Sequence, residues 1–439
     1  MSTLTLDAAG RLLASVPGWA DSPPLAAHLA THGALSLPSG RDDGRWRLGM
    51  LAAIGESGLL GRGGAGFPAG AKWDAFRTSG RRPIVVVNAM EGEPASSKDR
   101  VLLSSAPHLV LDGAEVAATV IGASEIAVCV ADDSGAAASS VEAAVAERRR
   151  ARASRFPVTV QRPPGRYVTG EESALVSWLN DRPALPALRV DKSVPLRVGR
   201  RPAMVHNAET LSQVALIARH GPAWFRLLGT PEAPGSTLVT VTGAVGLPGV
   251  LEVELGTPVI DILERAGLQA ALSGVLVGGY GGAWLDPAEL GTPFAPGPLA
   301  AVGATQGVGI LVALPVGGCG IAETARIARY MAGESAGQCG PCAFGLPAIA
   351  DDLEQLWAGR ADASSIDRIN HRSDTVDGRG ACRHPDGVVR LVRSALAVFG
   401  DDARAHAEGR PCAGNAGPTV LAFPATPPTG RPVAGGRSS

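Results

Sequence analysis

The chain has 439 residues, enough for about two to four domains with a sizeable core. Lys and Arg number 40 against 41 Asp and Glu, a net charge of −1 that excludes the strong basic field of a nucleic-acid binder. Six cysteines over this length do not make a disulfide framework, the start MSTLTLDAAG lacks the basic and apolar regions of a signal peptide, and apolar runs such as Val308 to Val316 are too short for direct membrane insertion, so the expected setting is cytoplasmic, with clustered thiols doing metal or redox chemistry.

Residues 1–45 are rich in Ala, Pro and Gly and carry little signal. Arg47 to Leu60 has helical spacing, with Leu48, Leu51, Ile54, Leu59 and Leu60 apolar, and runs into GRGGAGFPAGAK, Gly61 to Lys72. Five of these twelve residues are Gly, which lets backbone N–H groups approach a ligand closely and adopt positive φ. Successive exposed N–H groups make a phosphate cradle, and the helix predicted to follow, through Trp73, Phe76 and Arg77, adds its positive end. Arg62 and Lys72 flank the loop with cations. The loop is neither a Rossmann G-x-G-x-x-G in its usual setting nor a Walker A loop, and a plain flexible loop is the alternative.

Ile84 to Asn88, IVVVN, fits a buried parallel strand, the kind that ends at a ligand crevice in open α/β sheets. MEGEPASSKDR follows, placing Glu91 and Glu93 at the strand's C-terminal end beside the expected anion site; an ordinary acidic turn is the alternative. A helix from Pro107 to Ile121, a strand from Ile126 to Val130, a helix reaching Arg150 and a short strand from Val158 to Gln161 argue for a three-layer α/β domain. In RYVTGEESALVSWLN, Gly170, Glu171 and Glu172 open a helix, where carboxylates suit the dipole. His206 to Gly221 is another helix with a polar entry.

The period then changes. Leu238, Thr240 and Thr242 alternate with Val239 and Val241, and GAVGLPGVLEV reads as a hairpin. With a short helix from Val259 and strands at Val275 to Val277 and Gly309 to Leu314, this forms a small ββαβ unit holding the Gly-rich VGGYGGAW. From Ile321 the chain turns helical: Ile321, Ala325, Ala328 and Met331 share a face, ESAGQCGPC follows, then apolar helices through Leu346, Ile349, Leu353 and Leu356 and through Val388, Leu391, Val392, Ala395, Leu396 and Phe399, as in a helical bundle. The expected divisions are an N-terminal segment 1–45, an α/β domain 46–232, the small β unit 233–318, a helical bundle 319–408 and a disordered tail 409–439, in which Cys412 reads as incidental.

GRGGAGFPAGAKW, VNAMEGEPASSKDR, GEESAL, HNAETL, VTGAVGLPG and ESAGQCGPC stand in the order in which they occur in one family. Over roughly 48–402 the chain resembles the flavin-binding F subunit of NADH:quinone oxidoreductase, respiratory complex I, whose relatives serve in hydrogenases and formate dehydrogenases. The resemblance implies an FMN-binding α/β domain, a β-grasp-like (SLBB) domain and a helical iron–sulfur bundle, with electrons passing from NAD(P)H or another donor through FMN and the cluster to a partner. That partner would be a ferredoxin-like or thioredoxin-fold iron–sulfur subunit, in an assembly peripheral to the inner membrane. Carried over by matching residues, the cofactor set is Gly61, Arg62, Gly63, Gly64 and Lys72, then Asn88, Glu91 and Glu93, then Tyr167, Gly170, Glu171 and Glu172, then His206, Asn207 and Thr210. No catalytic acid or base is named, because the flavin carries the chemistry.

The departures are specific. Met90 stands where the family usually has Asp, and His206 where it has a second Asn. Cys339, Cys342 and Cys382 match cluster ligands, but the first ligand position is Ala336. The expectation is a labile [3Fe–4S] cluster, or a [4Fe–4S] cluster completed by water, Glu334 or Cys319. Ala75 and Lys192 replace aromatics that sandwich adenine in the family, so NAD(H) is expected to bind weakly, or NADPH or a reduced protein to replace it. The alternatives are a thiol-redox protein using the Cys339-Gly-Pro-Cys342 motif, a non-catalytic scaffold retaining the fold, and a zinc site on the three cysteines.

Overall fold

The computed structural model describes residues 10–14, 23–38, 43–76, 82–189, 191, 194–362, 364–410, 412, 414, 417 and 419–424. Helices α1 (Leu25–His32), α2 (Asp43–Ser57) and α3 (Ala69–Asp74) precede strand β1 (Ile84–Ala89). Then come α4 (Lys98–Ser105), α5 (Pro107–Ile121), β2 (Glu125–Val130), α6 (Gly135–Arg150), β3 (Val158–Gln161), α7 (Glu172–Leu179), β4 (Arg197–Val198), β5 (Arg201–Asn207) and α8 (Ala208–Phe225). The five strands lie in the order β3-β2-β1-β5-β4, with β1 parallel to both β2 and β5.

The apolar run in β1 has no alternation because both faces are covered. Val85 and Val87 enter the large core with Leu109, Val116, Leu211 and Val214, from α5 and α8. Ile84 and Val86 enter a second core with Leu175, Val176 and Leu179 of α7. Helices α5 and α8 touch so closely that a Cβ on Gly113 would lie 1.8 Å from the Leu211 carbonyl oxygen. Residues 1–45 carried little signal, yet α1 is anchored by buried His28, whose Nε2 lies 2.8 Å from Asp112 Oδ2.

A second sheet follows: β6 (Ser236–Gly243), β7 (Gly249–Glu254), α9 (Val259–Arg265), β8 (Leu272–Val277), β9 (Ala283–Leu285), α10 (Pro296–Ala301) and β10 (Ile310–Pro315). Its order is β7-β6-β10-β8-β9, with β6 and β10 parallel at the centre and antiparallel pairs outside them. Strand β9 and helix α10 are additions to the ββαβ reading; three residues of strand and a Pro-Gly-Pro helix start are too short to show a period.

The last part is helical: α11 (Gly320–Glu334), α12 (Leu346–Trp357), α13 (Ser365–Val376), α14 (His384–Val398) and α15 (Gly400–Ala407). Ile321, Ala325, Ala328 and Met331 share one core with Leu346, Ile349, Leu353, Val388, Leu391 and Val392. The expectation of a disordered tail at 409–439 is corrected as far as the described residues reach. Cys412 and Leu421 are buried, the Val420 N–H donates to Glu323 Oε1 at 2.8 Å, and the Phe423 ring lies 5.3 Å from that of Tyr280. Pro and Gly depress helix and strand there, yet the described residues 412, 414, 417 and 419–424 form a strap that packs against the bundle without either.

Gly113→Ala should destabilise the protein by about 1–3 kcal/mol, because the Leu211 carbonyl belongs to a helix and cannot rotate away. Gly135→Ala, whose added Cβ meets nothing within 4 Å, should be neutral or slightly stabilising. Equilibrium urea unfolding of both variants checks this; equal midpoints would show that the α5–α8 contact is looser than it stands.

Candidate functional site

Strands β1 and β5 run side by side, with Asn88 level with Asn207, and the helices that follow them, α4–α5 and α8, cover the same face of the sheet. Ligands of open α/β sheets bind beyond the carboxyl ends of the strands, and a crevice is placed there by this rule. Three stretches line it: 90–97 after β1, the start of α8 after β5, and the Gly-rich loop before α3. The loop is closed by Gly61 N–H donating to the Phe67 carbonyl at 2.9 Å and is fastened to α8 by Arg62 N–H donating to Thr210 Oγ1 at 2.9 Å. Gly63 and Gly64 are exposed at its crest. A side chain on Gly63 would meet Asn207 Cβ at 3.4 Å, so the glycine leaves open the gap between loop and helix start. Gly64 has φ +99°, and a Cβ there would face Val308 of the second sheet.

The structure divides the expected site residues. Arg62 is buried, its guanidinium donating to the Ser236 carbonyl at 3.1 Å and lying 3.8 Å from Glu209, so it holds the loop and its charge does not face the crevice. Lys72 lies at the edge, bonded to Glu172 at 2.8 Å and to the Val205 carbonyl at 2.6 Å. Asn88 donates to the Gly170 carbonyl at 2.9 Å, tying β1 to the turn before α7. Asn207 caps α8 by accepting from Glu209 N–H at 3.0 Å and donates to Asp99 at 2.8 Å. His206 turns away from the crevice: its Nε2 accepts from the Trp73 indole at 2.8 Å, and burial and then Lys72 hold it neutral, far below the usual histidine range. Met90 is buried in the core beside α7.

The four carboxylates have different roles. Glu91, at φ +39°, accepts from Ser96, from Asp99 N–H at 2.9 Å and from Arg100 N–H at 3.0 Å, so it caps α4. Glu171 caps α7, accepting from the N–H groups of Ser173 and Ala174 at 2.9 Å. For these two, the helix-cap and acidic-turn readings hold. Glu93 differs. It is buried, Oε2 accepts from Tyr280 N–H at 3.0 Å, and Oε1 has no hydrogen-bond partner among the described residues. Burial raises its carboxyl to about 8, opposed by the Tyr280 hydrogen bond and by the nearby Ala95 N–H and Tyr167 hydroxyl, which approach without completing a bond to Oε1.

Sequence reasoning missed several residues. Lys98 is buried between Asp99 at 2.9 Å and Glu209 at 3.0 Å; desolvation opposes its charge and these two carboxylates more than offset it. Gly279 and Tyr280, in VGGYGGAW, bring the second sheet against Glu93, where a Cβ on Gly279 would sit 2.7 Å from Oε2. Phe67, on the loop, is 57% exposed. The signal for the glycines was present, since a VGGYGGAW run inside a strand pattern marks close backbone approach.

The cysteines lie on the same side. Cys382 is near enough to Glu171 and Cys339 to feel their charge, and His384, two residues on, has its ring 5.4 Å from Tyr167. Backbone N–H groups point at the sulfurs: Ala381 at Cys339, Gly337 at Cys342 and His384 at Cys382. Cys342 sits in a single π-helical turn, Pro341–Gly345, after helix α11, unlike the strand-led setting of a thioredoxin motif. One correction concerns the fourth ligand: Cys319 caps the start of the 15-residue α11, about 22 Å long at 1.5 Å per residue, whereas Cys339 lies past its other end. Glu334 accepts from Tyr167 N–H at 2.7 Å through Oε2.

The residues present fit both implied groups. The loop's open gap over a helix start suits a phosphate, and the unpartnered Glu93 oxygen waits for a donor. Three thiols with backbone N–H donors suit an iron–sulfur cluster one ligand short.

A family model described as the Nuo51 FMN-binding domain matches residues 54–216, and one described as the NADH-ubiquinone oxidoreductase-F iron-sulfur binding region matches 322–406. The second NADH-quinone oxidoreductase F subunit of Rhizobium meliloti is 30% identical over 377 residues, 83% of this chain and 90% of that protein. The NADH-quinone oxidoreductase F subunit of Mycobacterium bovis is 31% identical over 380 residues, 83% of this chain and 85% of that protein. The crystal structure of a NAD+-reducing [NiFe]-hydrogenase in the air-oxidized state aligns with TM-score 0.78 at 31% identity, over 89% of this chain and 67% of that one.

Glu93 gives a pH test on the flavin-free protein. A carboxyl raised to about 8 from 4.5 favours folding fully below pH 4.5, and that contribution is lost as pH rises through 8. Relative to Glu93→Gln, the wild type should therefore lose stability between pH 5 and about 8.5. Parallel melting-temperature curves for the two proteins across that range would refute the burial argument.

Proposed function

This chain belongs to the family of NADH-quinone oxidoreductase F subunits, and from that premise we propose that it is the flavin-carrying member of an assembly that draws electrons from a nicotinamide or protein donor and passes them on singly. The observation that carries the reading is the meeting at one crevice of the Gly-rich loop, the half-satisfied Glu93 and, through the Tyr167–His384 contact at 5.4 Å, the three-cysteine site. When bound, FMN supplies two-electron acceptance from a hydride donor and one-electron release, and an iron–sulfur cluster supplies a one-electron exit.

The chain's own residues position these groups. The backbone of Gly61, Gly63 and Gly64 with the start of α8 at Asn207 and Thr210 would hold the phosphate; Lys72, Asn88, Gly170 and Glu172 would frame the flavin's other end. Glu93, Tyr167 and the backbone at Glu171 would face the ring. Arg62, Glu91, Glu209 and His206 support this frame from behind. We read β6 to β10 as the β-grasp-like SLBB domain and α11 to α15 as the iron–sulfur bundle. Relatives carry names of components of NADH-quinone oxidoreductase and of a NAD+-reducing hydrogenase, which supports a place in a multi-subunit assembly; we read the partner as an iron–sulfur subunit. No helix among the described residues is long and apolar enough to cross a membrane, in keeping with a peripheral, cytoplasmic place in such an assembly.

The nicotinamide site departs from the family at two places. Ala75 is exposed and offers no ring, and Phe76, next to it, is buried in the core. Lys192 lies outside the described residues. Phe67 is the exposed aromatic at the crevice and supplies one stacking face for an adenine. Stacking on one aromatic face is worth roughly 1–3 kcal/mol. Phe67→Ala should raise the NADH concentration that half-reduces the flavin by about tenfold or more in an anaerobic titration, with flavin content unchanged. An unaltered titration would remove Phe67 from the donor site.

Anaerobic purification with an absorption spectrum, flavin assay and iron count tests the whole reading. We expect about one FMN per chain, an easily lost cluster in the wild type, and greater iron retention in Ala336→Cys, because the fourth thiolate is restored. A colourless protein that ignores added FMN would sink the flavin assignment. Absence of iron from both proteins after reconstitution would sink the cluster.

A further inference from the structure

A second thiol cluster lies at the other end of α11. Cys319 Sγ, His406 and Cys412 are all buried, and their ligand atoms lie within 4.8 Å of one another. Cys319 Sγ is 3.4 Å from His406 Nε2. We propose that Cys319, His406 and Cys412 form a binding site for a soft divalent cation, zinc by its donor set, that clamps the C-terminal strap to the last helices.

Four features support a built site over a chance meeting of core residues. First, two thiolates and an imidazole are the donors that select zinc over magnesium or calcium. Second, Cys319 caps α11, its sulfur accepting from Ala322 N–H at 3.3 Å, a donor that partly offsets the burial which pushes the free thiol up to about 12. Third, His406 hydrogen-bonds the Trp357 carbonyl. With Nε2 facing the sulfur, that bond falls to Nδ1–H, the outer partner that metal-binding imidazoles use to fix their tautomer. Fourth, close packing of the residues that follow it brings Cys412 here. A Cβ on Gly414 would lie 2.6 Å from Cys319 N, and one on Gly417 would lie 1.8 Å from the Gly317 carbonyl oxygen, so only glycine lets the strap approach. Beyond it, Val420 bonds Glu323 and buried Leu421 fills the core.

The fourth position is open to water or to Asp402, which lies one helical turn before His406 on α15 and is close enough to both Cys319 and His406 to act on their charge. Binding would displace the two thiol protons to solvent and leave two metal–sulfur bonds and one metal–nitrogen bond. The site is separate from Cys339, Cys342 and Cys382, so its test stands apart from the flavin reading.

The full-length chain is purified without chelator, and zinc, iron and flavin are counted together. We expect about one zinc per chain in the wild type and none in Cys412→Ser, with iron and flavin equal in the two. Cobalt added to the metal-free wild type should give the visible bands of a tetrahedral cobalt–thiolate, absent from Cys412→Ser. A strong chelator should lower the melting temperature of the wild type and leave that of Cys412→Ser unmoved, which keeps the test valid if the variant is itself less stable. Zinc held equally by both proteins would place it on the other cysteines and overturn the proposal. So would a wild type that takes up neither zinc nor cobalt, or a Cys319–Cys412 disulfide found by peptide mapping of the fresh protein.

Discussion

Lys98 is a full positive charge buried at the meeting point of β1, β5, α4, α8 and β6. It is bonded to Asp99 and Glu209; Glu209 in turn accepts from Thr237 Oγ1 at 2.9 Å and Leu238 N–H at 3.0 Å, at the start of the second sheet, and lies beside Arg62 of the Gly-rich loop. A buried ion pair adds little net stability, since desolvation consumes most of the attraction. Its effect is positional. Breaking one partnership would leave an uncompensated charge costing about 3–5 kcal/mol, so the loop, the helix start and the second sheet are locked in one arrangement. The crevice is therefore formed by protein contacts alone, and a ligand need not order it.

That lock explains why so many expected binding residues face inward. A loop that presents backbone N–H groups needs its side chains out of the way and its ends tied down. Arg62 does the tying, Thr210 receives the backbone of the loop, and Asn207 caps the helix whose start faces the gap. The same division runs through the carboxylates. Glu91 and Glu171 cap the starts of helices, Glu172 pairs with Lys72, and of these four only Glu93 keeps a buried oxygen uncommitted among the described residues. A neutral carboxyl near pH 7 can donate as well as accept, which distinguishes Glu93 chemically from its neighbours.

What the sequence made legible follows from period and spacing. IVVVN and the run from Ile126 to Val130 announced parallel strands because both faces of the sheet are covered, and the apolar spacing in α11, α12 and α14 announced helices that share a core. Lys98 was not legible, since a lysine in SSKDR reads as exposed unless its distant partner Glu209 is known to be adjacent. Helices α13 and α15 carry too few apolar residues to show a stripe in sequence. Cys412 was hidden for a different reason: Gly and Pro around it resemble disorder, yet those glycines are what permit the strap to lie directly on 317–319.

The two ends of α11 show how one chemistry takes two roles by position. At its C-terminal end Cys339, Cys342 and Cys382 stand beside Glu171 and, through His384, beside Tyr167 and the crevice, with two of the three sulfurs only half-buried. At its N-terminal end Cys319 and Cys412 are buried, with His406, under the strap. A cluster that passes electrons needs to lie near its donor and near a surface, and the first group, with two half-buried sulfurs beside Glu171, has the position such a cluster would need. The second satisfies neither, and a closed, deeply packed thiol–imidazole group joining chain segments far apart in sequence is suited to holding structure. The helix between them is about 22 Å long and keeps them apart. On the proposed assignment, alanine at position 336 would cost the crevice-side site a ligand and leave the packing around Cys319 and Cys412 untouched.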